Sequence, residues 1–156
     1  MLFMKPRNTI ALTSRITEAA HRFIIDALEH RGVQGIVPSH GSILYVLYKH
    51  QRITMKALAK AIYRSKPTVT VLVNKLEALG YVHKEKCTKD SRITYVCLTQ
   101  QGVAFQEDFE AVSNTLNAKV FRGISEADID TLKPILEAML HNLLSSPSTD
   151  TSKELS

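Results

Sequence analysis

Apolar side chains recur along most of this chain at steps of three and four residues, the period of a helix with one inward face. Over residues 9–31 the stripe is Ile16, Ala20, Phe23, Ile24 and Ala27, and Gly32 ends the run. A loop, GVQGIVPS, follows, punctuated by Gly32, Gly35 and Pro38. Ser39 is placed to cap a second helix, HGSILYVLYKH, with Ile43, Leu44 and Leu47 inward. Thr54 is placed to cap a third, MKALAKAIY, with Leu58, Ala59 and Ile62 inward. Only Tyr63 and Arg64 separate it from a fourth helix. There Ser65 offers the cap, and Pro67 sits in the first turn, where its missing N–H has no helical partner to lose. Val69, Leu72, Val73, Leu76 and Leu79 form the stripe, and Gly80 supplies a left-handed stop.

Beyond Gly80 the period changes. Residues 81–86 and 93–98 are rich in β-branched and aromatic side chains, with Cys87-Thr88-Lys89-Asp90-Ser91-Arg92 as the turn between them, so a hairpin is expected. A long helix is expected from Thr99 to about Arg122, with Phe105, Phe109, Val112, Leu116 and Val120 on one side, ended by Gly123. Ser125 caps a last helix with a broad apolar stripe: Ile129, Leu132, Ile135, Leu136, Met139, Leu140 and Leu143. The tail SSPSTDTSKELS is polar, Ser/Thr-rich and expected to be disordered.

Two short helices joined by a tight turn, the second polar on its outer face and followed by a hairpin, make a winged helix-turn-helix. The expected fold class is therefore mainly α with a small β-hairpin wing. Residues 1–36 form an N-terminal dimerisation helix and 37–99 the DNA-binding lobe. Residues 100–145 form C-terminal dimerisation helices, and 146–156 the disordered tail. Dimerisation is expected because the first and last helices hold more apolar surface than a lobe of roughly sixty residues needs, and DNA readers of this kind are usually two-fold dimers.

Charge sharpens the picture. Residues 37–99 hold eleven Lys/Arg against three acids, a net of +8, so the rest of a chain at +5 carries −3. A basic middle between neutral-to-acidic flanks is the footprint of a polyanion partner. On the fourth helix, Lys66, Thr68, Thr70, Asn74 and Lys75 face away from the apolar stripe, a hydrogen-bonding surface suited to a DNA groove. The 44% hydrophobic and 22% charged fractions are ordinary for a globular protein, and no apolar run approaches bilayer length. No signal peptide is read at the start, and Cys87 and Cys97 are too few for a stapled scaffold, so reduced thiols in a cytoplasmic protein are expected.

The stretch LAKAIYRSKPTVTVLVNKLEALGYVHKEKCTKDSRITYVCLTQQG resembles the recognition core of the MarR family of bacterial transcription regulators. Shared features are Leu-Ala in the first helix, Thr-Val-Thr opening the second, and Lys-Leu-Glu before Gly-Tyr-Val. Asp-x-Arg at the wing tip and Leu-Thr-x-x-Gly starting the next helix complete the set. The detailed likeness covers residues 54–102; the flanking helices agree in number and length. It implies a triangular homodimer whose recognition helices enter successive major grooves while the wings reach adjacent minor grooves. By this resemblance Arg92 is the wing-tip arginine for the minor groove, oriented by Asp90. Lys84, Lys86 and Lys89 suit phosphates, and Thr68, Thr70 and Asn74 base edges, with Ser65, Lys66 and Lys75 completing the DNA-facing set. Val71 departs from the pattern, standing where many relatives carry a basic residue.

Other chemistry is thinner. His21, His30, His40, His50, His83 and His141 show no ligand spacing such as a helical i, i+4 pair with a nearby carboxylate, so no metal site and no cofactor are expected. No phosphate loop or nucleophile elbow is present, which speaks against an enzyme. His40 and Tyr48 on the second helix, with His21 and Arg22 on the first, are candidates to border an effector cavity; the effector itself is not legible. The expected function is a cytoplasmic, homodimeric, sequence-specific reader of a pseudo-palindromic double-stranded DNA operator, a repressor relieved by a small-molecule effector. The alternatives are a winged-helix protein-interaction module and a redox-sensing regulator acting through Cys87, whose neighbours Lys84, Lys86 and Lys89 favour a thiolate.

Overall fold

A computed structural model describes residues 8–145; the tail expected to be disordered lies outside the described residues. The elements run α1 (Thr9–His30), α2 (Pro38–His50), β1 (Arg52–Thr54), α3 (Met55–Ala61), α4 (Lys66–Ala78), β2 (Val82–Lys86), β3 (Thr94–Leu98), α5 (Gln100–Ala104), α6 (Gln106–Val120) and α7 (Glu126–Leu144). They form two compact units that divide between Asn117 and Ala118.

In the first unit the expected stripes converge. Ile43, Leu44 and Leu47 of α2, Leu58 of α3, and Val69, Val73 and Leu76 of α4 are fully buried, with Val96 of β3 beside them. Thr54, Ser65 and Thr99 accept from the backbone N–H three residues on and cap α3, α4 and α5. One expected cap differs. Val37, not Ser39, precedes α2, with Pro38 in its first turn. The backbone N–H of Val37 instead donates to Nδ1 of His40 (3.1 Å), the return half of a capping box. The helix expected from Thr99 onward is interrupted at Phe105, whose ring sits 5.0 Å from that of Tyr81. A side chain at Gly102 would run into the carbonyl oxygen of Tyr81, so this close approach requires glycine.

The wing has a strand more than the hairpin expected. β1 adds to the edge of β3, giving an antiparallel sheet in the order β1-β3-β2. The register pairs Arg52 with Cys97 and Cys97 with His83, and Ile53 with Val96 and Val96 with Lys84. Paired residues share a face and successive residues alternate. One face therefore carries Ile53, Val82, Lys84 and Val96, and the other Arg52, His83, Glu85, Tyr95 and Cys97.

Three helices of this unit end alike. The 6→1 and 5→2 bonds of a Schellman motif close α1 at Gly32, α3 at Tyr63 and α4 at Gly80. All three positions have positive φ: +75°, +53° and +85° respectively. A tyrosine thus fills, in the turn of the helix-turn-helix, the left-handed place that glycine fills in the other two.

In the second unit α7 is capped by Ser125, whose Oγ accepts from the Asp128 N–H (3.2 Å). No residue of α7 is buried. Ile129, Leu132, Leu136 and Leu140 line an open apolar trough with Phe121.

Candidate nucleic-acid interface

α4 presents its polar side to solvent because its apolar side is used up against α2 and α3. Val69, Val73 and Leu76 lie inside, while Lys66, Thr68, Asn74 and Lys75 lie outside. The hydroxyls of Ser65 and Thr68 bond each other (2.9 Å) at the N-terminus, where unpaired N–H groups favour an anion. Thr70 spends its hydroxyl proton on the carbonyl of Lys66 (2.9 Å), leaving its oxygen lone pairs as acceptors. Val71 is 68% exposed, a bare apolar spot on the same surface.

Sheet alternation brings the wing to this helix. Lys84 shares a face with the core residues Val82 and Val96, so its stem runs toward α4. Its Nζ donates to Oδ1 of Asn74 (2.6 Å) and lies 3.9 Å from Glu77. The two residues assigned separate tasks by sequence, reading a base and holding a phosphate, are thus joined in the free chain. Lys86 and Lys89 make no ion pair among the described residues.

At the turn, Arg92 is gripped by Asp90. Nε donates to Oδ1 and Nη2 to Oδ2, each at 3.0 Å, and the Arg92 backbone N–H also donates to Oδ1. The Arg92 side chain, 88% exposed, is held out into solvent in one orientation. The same hydrogen bonds hold the Asp90 carboxyl below its usual range and raise Arg92.

The opposite sheet face carries a cluster that the sequence reading missed. His83 Nε2 lies 2.8 Å from Glu85 Oε1, and Arg52 Nε lies 3.4 Å from Glu85 Oε2. The Arg52 guanidinium stacks 3.7 Å above the Tyr95 ring. Hydrogen bonding from His83 chiefly lowers the Glu85 carboxyl, while burial raises the Cys97 thiol, helped by the Glu85 charge. Spacing along one helix could not reveal this group, since its members meet across strands. Cys87 and Cys97 are not a disulfide pair. Cys87 lies beside Ile93 and Cys97 beside His83, four positions apart along the hairpin, about 13 Å.

The effector candidates separate. His40 is wholly buried, its Nε2 without a partner, and burial chiefly lowers its pKa, with Lys75 adding to the shift. Tyr48 donates to the Gly102 carbonyl (3.0 Å), and burial raises its hydroxyl. With Tyr45, Lys49, Phe109 and Glu110, Tyr48 lines a cavity of about 530 Å³ between α2 and α6. His21 and Arg22 are exposed and are not part of its wall.

Comparison with known proteins agrees with this architecture. Residues 36–94 match the MarR family. A MarR transcriptional regulator from Methanosarcina mazei Go1 is 23% identical, with a TM-score of 0.73 over 88% of this chain and 98% of its own. MepR of S. aureus, solved in complex with DNA, is 26% identical, with a TM-score of 0.76 over 85% and 96%. The MarR family regulator Sco3205 from Streptomyces coelicolor, also solved with DNA, is 18% identical, with a TM-score of 0.77 over 94% and 93%.

Proposed function

Since this chain carries a MarR-family domain over residues 36–94, we propose that it is a homodimeric transcription regulator that reads a pseudo-palindromic double-stranded DNA operator. The observation that carries this reading is the Asn74–Lys84 bond, which joins the polar face of α4 to the wing in one continuous surface. Asn74, Thr68 and Thr70 offer groups for base edges, and a short helix of this kind enters a major groove. Ser65, Lys66, Lys75, Lys84, Lys86 and Lys89 supply phosphate contacts. Arg92, already splayed by Asp90, reaches the narrow minor groove, where negative potential is strongest. Two such surfaces related by a two-fold axis read the two half-sites. The bare trough of α7 supports pairing through the C-terminal helices. Among the described residues no helix is long and apolar enough to cross a membrane, and we assign the protein to the cytoplasm.

The regulator acts as a repressor relieved by a small molecule, and the cavity between α2 and α6 supports such an effector. Its wall joins the helix that buttresses α4 to α6, the second helix after the wing. The test is to sequence the genomic fragments retained by the purified protein and titrate a recovered duplex against a scrambled one. A specificity ratio of about a thousandfold or more is expected. Equal affinity for both duplexes overturns the reading.

A further inference from the structure

The wing carries a second set of groups, on the sheet face turned away from α4. The nitrogen of His83, a carboxylate oxygen of Glu85 and the sulfur of Cys97 all lie within 4.8 Å of one another. They gather because His83 and Glu85 are two residues apart on β2 and so share a face, while Cys97 is the cross-strand partner of His83 on β3. We propose that these three side chains form a binding site for a thiophilic divalent cation of the zinc class.

The chemistry of the donors selects the ion. A thiolate with an imidazole and a carboxylate suits zinc, whereas calcium and magnesium take all-oxygen sets. Three protein donors leave a fourth position for water. The arrangement of Glu85 suits a shared role. In the free chain its Oε1 shares a hydrogen bond with His83 Nε2 (2.8 Å), which an ion entering between them would replace, while Oε2 pairs with Arg52, whose guanidinium stacks on the Tyr95 ring. That outer contact fixes a ligating carboxylate in the way such sites require. On binding, a metal–sulfur bond replaces the S–H bond and the proton leaves to solvent. Thiolate and carboxylate then cancel the two charges of the ion, so the neighbouring Arg52 faces a neutral centre.

This site is independent of the DNA reading, and its test needs no DNA. The reduced, metal-free full chain is titrated with cobalt(II), followed by zinc. We expect a thiolate-to-cobalt charge-transfer absorption that saturates at one ion per chain and vanishes as zinc displaces cobalt. Cys97→Ser, near-isosteric and checked for folding by circular dichroism, should lose that absorption, whereas Cys87→Ser should keep it. Glu85→Gln, at an exposed position that does not threaten the fold, should weaken zinc binding by about tenfold or more against a chromophoric chelator. Absence of the charge-transfer absorption in the wild type, its persistence in Cys97→Ser, or its loss in Cys87→Ser overturns the proposal. So does an unchanged zinc affinity in Glu85→Gln.

Discussion

α4 and α7 are written alike and used differently. Each carries an apolar stripe at helical spacing, opened by a serine cap. In α4 the stripe is consumed inside its own unit, with Val69, Val73 and Leu76 fully buried. In α7 nothing is buried, and Leu136 and Leu140 remain 41% and 45% exposed. Periodicity announces that a face wants covering, but not whether the cover comes from the same chain. The proposal that a partner subunit covers this stripe rests on that difference.

The sharpest way to break this comparison is to truncate one residue from each stripe. Leu76→Ala should cost about 2–5 kcal/mol in urea unfolding, since a closed core cannot fill the cavity. Leu136→Ala, measured at concentrations where subunits are apart, should stay within about 0.5 kcal/mol. Equal costs would mean that α7 is as enclosed as α4. A second change probes what covers α7. Leu136→Glu should weaken dimerisation by about 1–3 kcal/mol or more, the cost of desolvating an unpaired charge, while deletion of residues 146–156 should leave the dimer intact. Sedimentation at micromolar protein decides both, and a wild type that is monomeric there removes the paired-groove picture.

The outer face of α4 carries the third change. Asn74→Ala should cost on the order of 1–3 kcal/mol on the operator and little on random duplex, so specificity falls. Lys86→Ala should weaken both duplexes alike and lower the salt slope by about one. Because Asn74 also holds Lys84, the Lys84→Ala variant is the control that separates lost reading from a released ammonium.

The smallest effect concerns His40, the polar member of the core that α4 helps to close. Its folded pKa lies below the ordinary 6.5, so the unfolded chain binds the extra proton first as pH falls. The stability held by neutral His40 is therefore complete above about pH 6.5 and lost on acidification through its lower folded value. In His40→Gln, whose amide oxygen can still accept from the Val37 N–H, the drop in urea midpoint between pH 7 and about pH 5.5 should be shallower. Parallel pH profiles for the two proteins would exclude His40 as the source.

Much of this was legible from the chain alone. The inward residues of α2, α3 and α4 lay at helical spacing, and Thr54, Ser65, Thr99 and Ser125 stood where caps belong. Most of what escaped had a common cause: it depended on partners distant in sequence. β1 is only three residues, too short for an alternation to register, and it exists because β3 offers an edge. The grouping of His83, Glu85 and Cys97 requires the strand register. The Asn74–Lys84 bond requires knowing which sheet face looks at α4. The burial of His40 was hidden because a histidine opening a helix reads as surface until its ring is seen to serve as the return cap.

Tyr63 has a consequence for anyone wishing to redesign the molecule. A left-handed non-glycine residue costs about 1–2 kcal/mol, and this one sits where helices α1 and α4 use glycine. Replacing it with glycine would relieve that cost but enlarge the freedom of the unfolded chain by about 0.4–1 kcal/mol. The second change takes back about half of the first, so the exchange would gain about 1 kcal/mol or less. Asparagine tolerates the same twist without the extra slack. The turn between α3 and α4 is therefore a built-in reserve of stability, reachable by one substitution that leaves every proposed DNA contact in place.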